Sequence, residues 1–428
     1  IVIPTSDDEA QNLSMKTLIN AMNLPYRIAS RYFFSRNKRR FISIIASIAM
    51  AGVAVGTMAM IVVLSVFNGM EDLNRNMFKT FDPDIKLMPE SGKRMSVSDS
   101  LLQVIKSVEG VQVVTKVIED NALARYGNQQ TIIRLKGVDS TFSQREQLDT
   151  ALVAGSLRLY GNNQTPYAIL AAGVQNALSV SLEDIIVPIE LWYPKAGSKT
   201  LNLTSADAFN QIPLRPGGVF FIESRYDDFI IAPIEIVSSL LEYHNEVSGL
   251  EIKIKAGFSE QKVSEEISQK VGKQYIVKDR DSLNADLLRA IRIEKLFVGI
   301  TLSLIILVAA INIFFSLSML AIEKKKDVSM LYALGATPAM IRNIFITEGA
   351  IVAFTGAATG IGLGIAICWL QIKYEFVSMG MATSLVDAYP VKLLWTDIIV
   401  TALIIIIITI TVAYVPARRA AEARNYLN

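Results

Sequence analysis

The 428-residue chain holds one cysteine, Cys368, and one histidine, His244. A lone thiol excludes an internal disulfide, and the pair leaves no Cys/His cluster for a metal and little scope for a histidine-based triad. No metal site is expected. The sequence also lacks any G-x-x-x-x-G-K-[ST] run, so the backbone cradle that would hold nucleotide phosphates is missing. Any ATP consumed must be hydrolysed by another chain. An excess of charge of either sign is missing too: the formal net charge is +2, and the long central segment is nearly balanced, which gives no hint of a nucleic-acid partner. Most hydrolytic enzymes are argued against.

What the chain does have is apolar sequence. With 51% hydrophobic residues and a mean hydropathy of +0.38, it reads as a membrane protein. Residues 41–67, 296–321, 344–370 and 398–415 each approach or exceed the roughly 20 apolar residues that cross about 30 Å of hydrocarbon. The first follows the basic run "RNKRR" but far exceeds a signal peptide's apolar region of roughly 7–15 residues, so it is a retained span. The last, "IIVTALIIIIITITVAYV", has no polar face, which a soluble helix needs.

Lysine and arginine set the expected orientation. About seven precede the first span, about four lie between the second and third, and about three follow the fourth, against about two between the third and fourth. Residues 1–40, 322–343 and 416–428 are therefore expected in the cytoplasm, with 68–295 and 371–397 outside. The first fourteen residues lack an initiating Met, and Met15 and Met22 are the candidate natural starts.

The outer segment reads as mixed α/β. "SDSLLQVIKSVEG" places Leu101, Leu102, Ile105 and Val108 at helical spacing, and "VQVVTKVIEDNALARYGNQQTIIRLKGVD" reads as strands with a turn near Gly127. "FSEQKVSEEISQKVGKQYIVKDR" sets Val263, Ile267 and Val271 on one helical face before a strand, a related βαβ half. Between them, "ILAAGVQNALSVSLEDIIVPIELWYPK" predicts a short helix and a long strand opening a second lobe. Met70, Leu73 and Met77 continue the first span's helical face until Pro83, and Leu287, Leu288 and Ile291 lead into the second with no breaker. Both spans are expected to extend outward as a stalk; two interfacial amphipathic helices are the alternative.

Between the second and third spans lies "EKKKDVSMLYALGATPAMIRNIFITEG". Its lysines alone would serve as topology determinants. Beyond them, Val328, Leu331 and Leu334 fall along one face of a short helix, Gly335 suits its C-cap, and Thr337-Pro338 starts a new element. This segment, with "RAIRIEKL", "LSLIILVAAINIF" and the terminal "PARRAAEA", resembles the permeases of the lipoprotein-releasing ABC transporter, the LolC/LolE family, within the wider superfamily of MacB-like and FtsX-like permeases. The "LGATP" turn is shared across that superfamily; the block around the second span is more discriminating. The resemblance covers most of the chain and implies a type VII permease with four transmembrane helices. It also implies a large periplasmic domain, with porter-like and sabre-like lobes, between the first two helices.

The resemblance further implies that Val328, Leu331, Leu334, Gly335, Ala336, Thr337 and Pro338 form a coupling helix docked on a separate ATPase dimer (LolD-like), which would bind ATP and Mg. Other implied partners are a second permease copy or paralogue, a lipoprotein drawn from the inner membrane's outer leaflet, and a periplasmic carrier (LolA-like). The chain itself would need no cofactor. Lateral entry of lipoprotein between the stalk-bearing spans implies an acyl-chain cavity at Met58, Met60, Ile61, Leu64, Phe67, Leu296, Phe297 and Ile300, although lipid-facing residues would have the same composition. The long polar stretch from Tyr193 to Gly218 is either a flexible hairpin or, by the same resemblance, a carrier-binding hook with Ala208, Phe209, Ile212, Pro213 and Leu214.

Glycine spacing has its own rationale. Gly52 and Gly56 in the first span, and Gly356, Gly360 and Gly364 in the third, would let backbones approach closely. Asn312 and Glu348 are polar at or near membrane depth, Glu348 close enough to the inner end to be solvated. The expected function is ATP-driven lipoprotein release by mechanical transmission. The alternatives are a MacB-like peptide or drug exporter, which commonly carries a fused ATPase not found in this sequence, and an FtsX-like regulator of a cell-wall hydrolase, whose outer domain is usually smaller.

Overall fold

Four helices long and apolar enough to cross a membrane account for about a third of the chain, and a β-rich segment lies between the first two in sequence. The structure is a computed structural model and describes residues 26, 29, 40–145, 147–161, 164–184, 186–195, 208–379 and 388–422. Most of the expected cytoplasmic N-terminal segment, the end of the tail and part of the loop 371–397 lie outside the described residues. Two units separate: a helical one within Ile1–Asp72, Ala290–Met381 and Val386–Asn428, and an α/β one within Leu73–Arg289.

The long helices are span one (Arg40–Phe81), span two (Ala285–Glu323), span three (Pro338–Tyr374) and span four (Trp395–Glu422), of which span one up to Asp72 and span two from Ala290 belong to the helical unit. Span one ends two residues before Pro83, whose ring and missing N–H cannot continue a helix. Span two starts at Ala285 without a break, so both helices run well past the apolar stretch as their sequence patterns predict. Small residues set the packing. A Cβ on Gly52 would lie 3.2 Å from Ala309 Cβ, and one on Gly56 2.9 Å from Ile306 Cγ1, both in span two. One on Gly356 would lie 2.7 Å from Met50 O, and one on Gly364 2.9 Å from Ile61 Cβ, while Gly360 sits against the Ala54 carbonyl. Span one is thus packed between spans two and three at backbone distance, which only glycine permits.

The α/β unit holds, among the described residues, twelve strands: β1 Ile85–Pro89, β2 Met95–Ser96, β3 Val111–Tyr126, β4 Gln129–Val138, β5 Leu152–Gly155, β6 Tyr167–Ala171, β7 Ile189–Pro194, β8 Phe209–Phe220, β9 Phe229–Pro233, β10 Glu246–Val247, β11 Gly249–Ile254 and β12 Tyr275–Asp279. Ten form one sheet in the order β12-β1-β11-β3-β4-β9-β6-β8-β5, with β7 pairing β3 and β8. Strands β1, β3, β11 and β12 with helices Asp99–Lys106 and Glu260–Val271 make a βαββαβ module in the spatial order fourth, first, third, second. Residues 127–248, inserted between its second and third strands, build the other lobe on the same sheet.

Local chemistry explains the elements. Ser98 caps the helix Asp99–Lys106 by accepting from Leu101 N at 3.2 Å, and Leu101 and Ile105 are buried beneath it. Gly127, with φ +56, turns β3 into β4. Strand β9 is buried along its whole length, as a central strand covered on both faces must be. The long strand expected before Tyr193 is shorter: Asp184 accepts from Ile186 N (2.9 Å) and Val187 N (3.3 Å), and Pro188 follows, so pairing begins only at Ile189.

Candidate functional sites

The segment between spans two and three is a helix, Lys325–Ala333, closed by two crossed hydrogen bonds. Ala336 N donates to Leu331 O (2.9 Å) and Gly335 N to Tyr332 O (3.0 Å), with Gly335 at φ +93, a left-handed helix terminus that favours glycine. Thr337 then caps span three by accepting from Met340 N at 3.3 Å, with Pro338 as its first helical residue. The short helix is anchored to the spans. Val328 is buried with Leu320, Ile341, Ile344, Phe345 and Ala417, with Leu331, Tyr332 and Ala336 packed at the edge of that cluster. Tyr332 Oη donates to Ala421 O at 2.5 Å.

Leu334 departs from the expected face. Val328 and Leu331 point into the anchoring cluster, whereas Leu334 is 84% exposed, because the helix has ended and the chain is turning at Gly335. Its exposed apolar companion is Met330, 59% exposed and four residues earlier, which the sequence reading passed over. The i, i+4 spacing behind Leu334 was the available signal. Glu348 is also different: it is buried, 7% exposed, on the inward side of span three beside Gly349, which packs against Leu317 and Ala413.

The eight acyl-cavity candidates do not come together. Met60, Ile61 and Leu64 are buried in the helix bundle, Ile61 directly against Gly364, while Met58 and Phe67 are half-buried. Leu296, Phe297 and Ile300 face outward at 58%, 63% and 59% exposure. Close packing of span one against spans two and three leaves its buried residues no free face, so of the eight candidates Leu296, Phe297 and Ile300 are the ones that present an open apolar surface.

The hook candidates correct the loop expectation. Phe209, Ile212, Pro213 and Leu214 belong to β8, paired with β7 in the register Pro194↔Phe209, Leu191↔Ile212, Glu190↔Pro213 and Ile189↔Leu214. Leu214 is 1% exposed, and Lys195 N donates to Ala208 O at 3.0 Å, so the two legs form a regular hairpin. Pro213 is paired with β7 and Pro216 with β6, so neither proline interrupts β8. The hairpin's tip, residues 196–207, lies outside the described residues.

The sequence reading missed a buried charge network in the α/β unit. Lys136 Nζ on β4 reaches Glu251 Oε1 on β11 at 2.7 Å and Glu119 Oε1 on β3 at 3.2 Å; Lys86 Nζ on β1 reaches Glu119 Oε2 at 2.6 Å. Lys136 and Glu251 are 2% and 1% exposed. Burial would push the Glu119 carboxyl up, but the charges of Lys136 and Lys86 outweigh it and hold Glu119 at about 2. Phe81 closes the network from one side, with Lys136 Nζ 4.8 Å from its ring centroid, and itself packs on Tyr226 and Phe229 at 4.8 and 4.7 Å between ring centroids. A cavity of about 160 Å³ lies beside these groups, bordered also by Arg134 and Arg225. Both arginines have partners, Arg134 with Asp228 at 2.6 Å and Arg225 with Asn284 Oδ1 at 2.6 Å. Next to the cavity, within the α/β unit, polar contacts tie together the residues that flank the two long helices. Asn284 Nδ2 donates to Asp82 Oδ2 at 2.7 Å, and buried Arg280 pairs with Asp84 and, at 2.5 Å, with Glu260.

Comparison with known proteins covers both units. A family model described as the MacB-like periplasmic core domain matches residues 46–270, and one described as the FtsX-like permease C-terminal region matches residues 299–423. The lipoprotein-releasing system transmembrane protein LolC of Neisseria meningitidis serogroup B is 23% identical to the chain, spanning 93% of it and 96% of its own length. LolE of Haemophilus influenzae is 22% identical over 94% of the chain and 98% of its own length. Among solved structures, the periplasmic region of MacB from Actinobacillus actinomycetemcomitans covers 50% of the chain and 97% of its own at 13% identity, with a TM-score of 0.35.

Proposed function

The chain belongs to the MacB-like periplasmic core domain family and carries an FtsX-like permease C-terminal region, and on that premise we propose that it is the permease of an ABC transporter that releases lipoproteins from the inner membrane. One observation carries the reading: relatives named as lipoprotein-releasing permeases align over more than nine-tenths of the chain and of their own length. Residues 68–295 face the periplasm, and both termini and the helix Lys325–Ala333 face the cytoplasm, where the excess of Lys and Arg lies.

The coupling step then has a physical basis. Exposed Met330 and Leu334 insert into a cleft on the ATPase dimer, while Val328, Leu331 and the Tyr332 hydroxyl fix the same helix to spans two to four. Displacement of the docked face therefore moves the spans. Methionine and leucine at exposed positions gain from burial at an interface, about 1.5–3 kcal/mol for each side chain fully covered. ATP and Mg belong to that partner, and this chain contributes no catalytic group. The outward face of span two, with Leu296, Phe297 and Ile300, meets acyl chains or a second permease copy. The β7–β8 hairpin, whose leg includes Ala208 and Phe209, engages a soluble carrier.

The test is depletion of the protein in its native cell, followed by mass spectrometry of triacylated lipoproteins in separated inner and outer membranes. Outer-membrane lipoproteins should accumulate in the inner membrane. Normal sorting would remove this reading and leave export and cell-wall control to be separated by drug sensitivity and division phenotype.

A further inference from the structure

At the end of the helical unit away from the coupling helix, three spans and the segment before span four meet in one polar knot. Asn68 of span one is 4% exposed and uses both ends of its amide: Nδ2 donates to Asp397 Oδ2 of span four at 2.6 Å and to Lys392 O at 3.2 Å, and Oδ1 accepts from Lys295 Nζ of span two at 2.7 Å. Lys295 Nζ also reaches Asp397 Oδ2 at 3.1 Å. One cation, one anion and one amide thus satisfy each other where the apolar stretches of three helices end.

The chain before span four is strapped to the same place. Gly69 lies against the Pro390–Val391 peptide so closely that any Cβ would overlap it. Lys392 N donates to Ser65 O at 2.9 Å, and the Lys392 side chain pairs with Asp72. At its other end the strap is tied to span three: buried Gln371 donates to Val377 O (2.9 Å) and Tyr389 O (3.3 Å) and accepts from Val377 N (3.0 Å). Backbone contact through a glycine and a mutually neutralised triad are features of a fixed joint. Separating the helices here would strand a lysine, an aspartate and an amide at the edge of the hydrocarbon.

We propose that Asn68, Lys295 and Asp397, with the strap seated on Gly69, form a permanent joint that makes the far ends of spans one, two and four move as one body. Lys295 and Asp397 are then positioning residues: they touch no cargo, and they pass motion from the coupling helix to both long helices together. The inference rests on the permease reading for its purpose but not for its geometry.

The experiment uses the full chain with its ATPase in lipid nanodiscs, with spin labels at the exposed sites Ile293→Cys of span two and Ile399→Cys of span four in a Cys368→Ser background. The label distance should be narrow and unchanged by ATP. Lys295→Asp should broaden it and lower lipoprotein release on the order of tenfold while ATP hydrolysis continues, the scale expected for residues coupled in one network. The Lys295→Asp/Asp397→Lys double variant should restore both, because the Asn68 amide can turn over to serve the exchanged charges. Gly69→Leu, which leaves the charges in place but parts the backbones, should reproduce the loss. A wild-type distance that shifts with nucleotide, a broadened variant with undiminished release, or a charge exchange that restores nothing would each overturn the joint. If the unaltered protein releases no lipoprotein, the permease reading fails, while the label distances still decide the joint.

Discussion

The α/β unit and the helical unit solve the same problem, holding polar backbone in a water-poor interior, with opposite means. The α/β unit buries large side chains such as Tyr243, Phe78 and Phe220, and it admits charge only in pairs, as at Lys136–Glu251 and Arg280–Asp84. The helical unit removes side chains at its contacts, so that glycines of spans one and three meet a neighbouring helix directly. In water the apolar payload itself drives folding; in lipid, where outside and inside are equally apolar, close packing and hydrogen bonds must do it. The first unit should therefore be most sensitive to unpaired charge, and the second to added bulk.

The largest effect is expected from Lys136→Met, which takes from buried Glu251 its cation at 2.7 Å and leaves Lys86, 3.9 Å away, facing two carboxylates. Loss of about 3–5 kcal/mol should appear in urea unfolding of the protein followed by a probe in the α/β unit, and Lys136→Met/Glu251→Leu should recover most of it. A full-sized loss in the double variant would mean that the network matters for more than charge balance. Next is Gly360→Val, which forces the Ala54 backbone away from span three and should cost about 1–3 kcal/mol, whereas Gly362→Ala, whose Cβ would meet nothing within 4 Å, should be neutral or slightly stabilising. Equal effects at the two glycines would contradict the packing account.

Acid separates the units in a third way. Glu119 is held at about 2, below its ordinary value of 4.5, so its contribution is present above pH 4.5 and is lost as pH falls from there through about 2. A loss on the order of 3 kcal/mol, read as falling thermal stability of the α/β unit across that window, should be much reduced in Glu119→Gln. Smallest in stability but large in function is Leu334→Asp. At 84% exposure it should leave the unfolding midpoint within about 0.5 kcal/mol of the parent while abolishing co-purification of the ATPase. Retained co-purification would move the docking face away from Met330 and Leu334.

Which parts could be read from sequence follows the same division. The spans, the Gly335 turn and the Thr337-Pro338 start were legible because length, capping and glycine geometry act over a few neighbouring residues. So were the helices bearing Leu101 and Val263, through their periodicity. Helical spacing alone set Leu334 on the face of Val328, but the helix stops before it, and a turn redirects the side chain. The charge network was hidden because its members lie on four strands far apart in the chain, and a lysine between Leu135 and Gly137 gives no sign of its partner on β11. Met60, Ile61 and Leu64 had the composition of a lipid-binding surface, yet which face of span one is covered depends on spans two and three, which sequence spacing does not encode.

The most direct test of the central claim is ATP-dependent release of a triacylated lipoprotein from proteoliposomes containing this chain and its ATPase, with a soluble carrier outside. Release should require ATP and carrier together and should disappear with Leu334→Asp while the protein remains folded. Hydrolysis that leaves lipoprotein in the bilayer but moves another amphiphile, or lipoprotein release untouched by Leu334→Asp, would contradict the account.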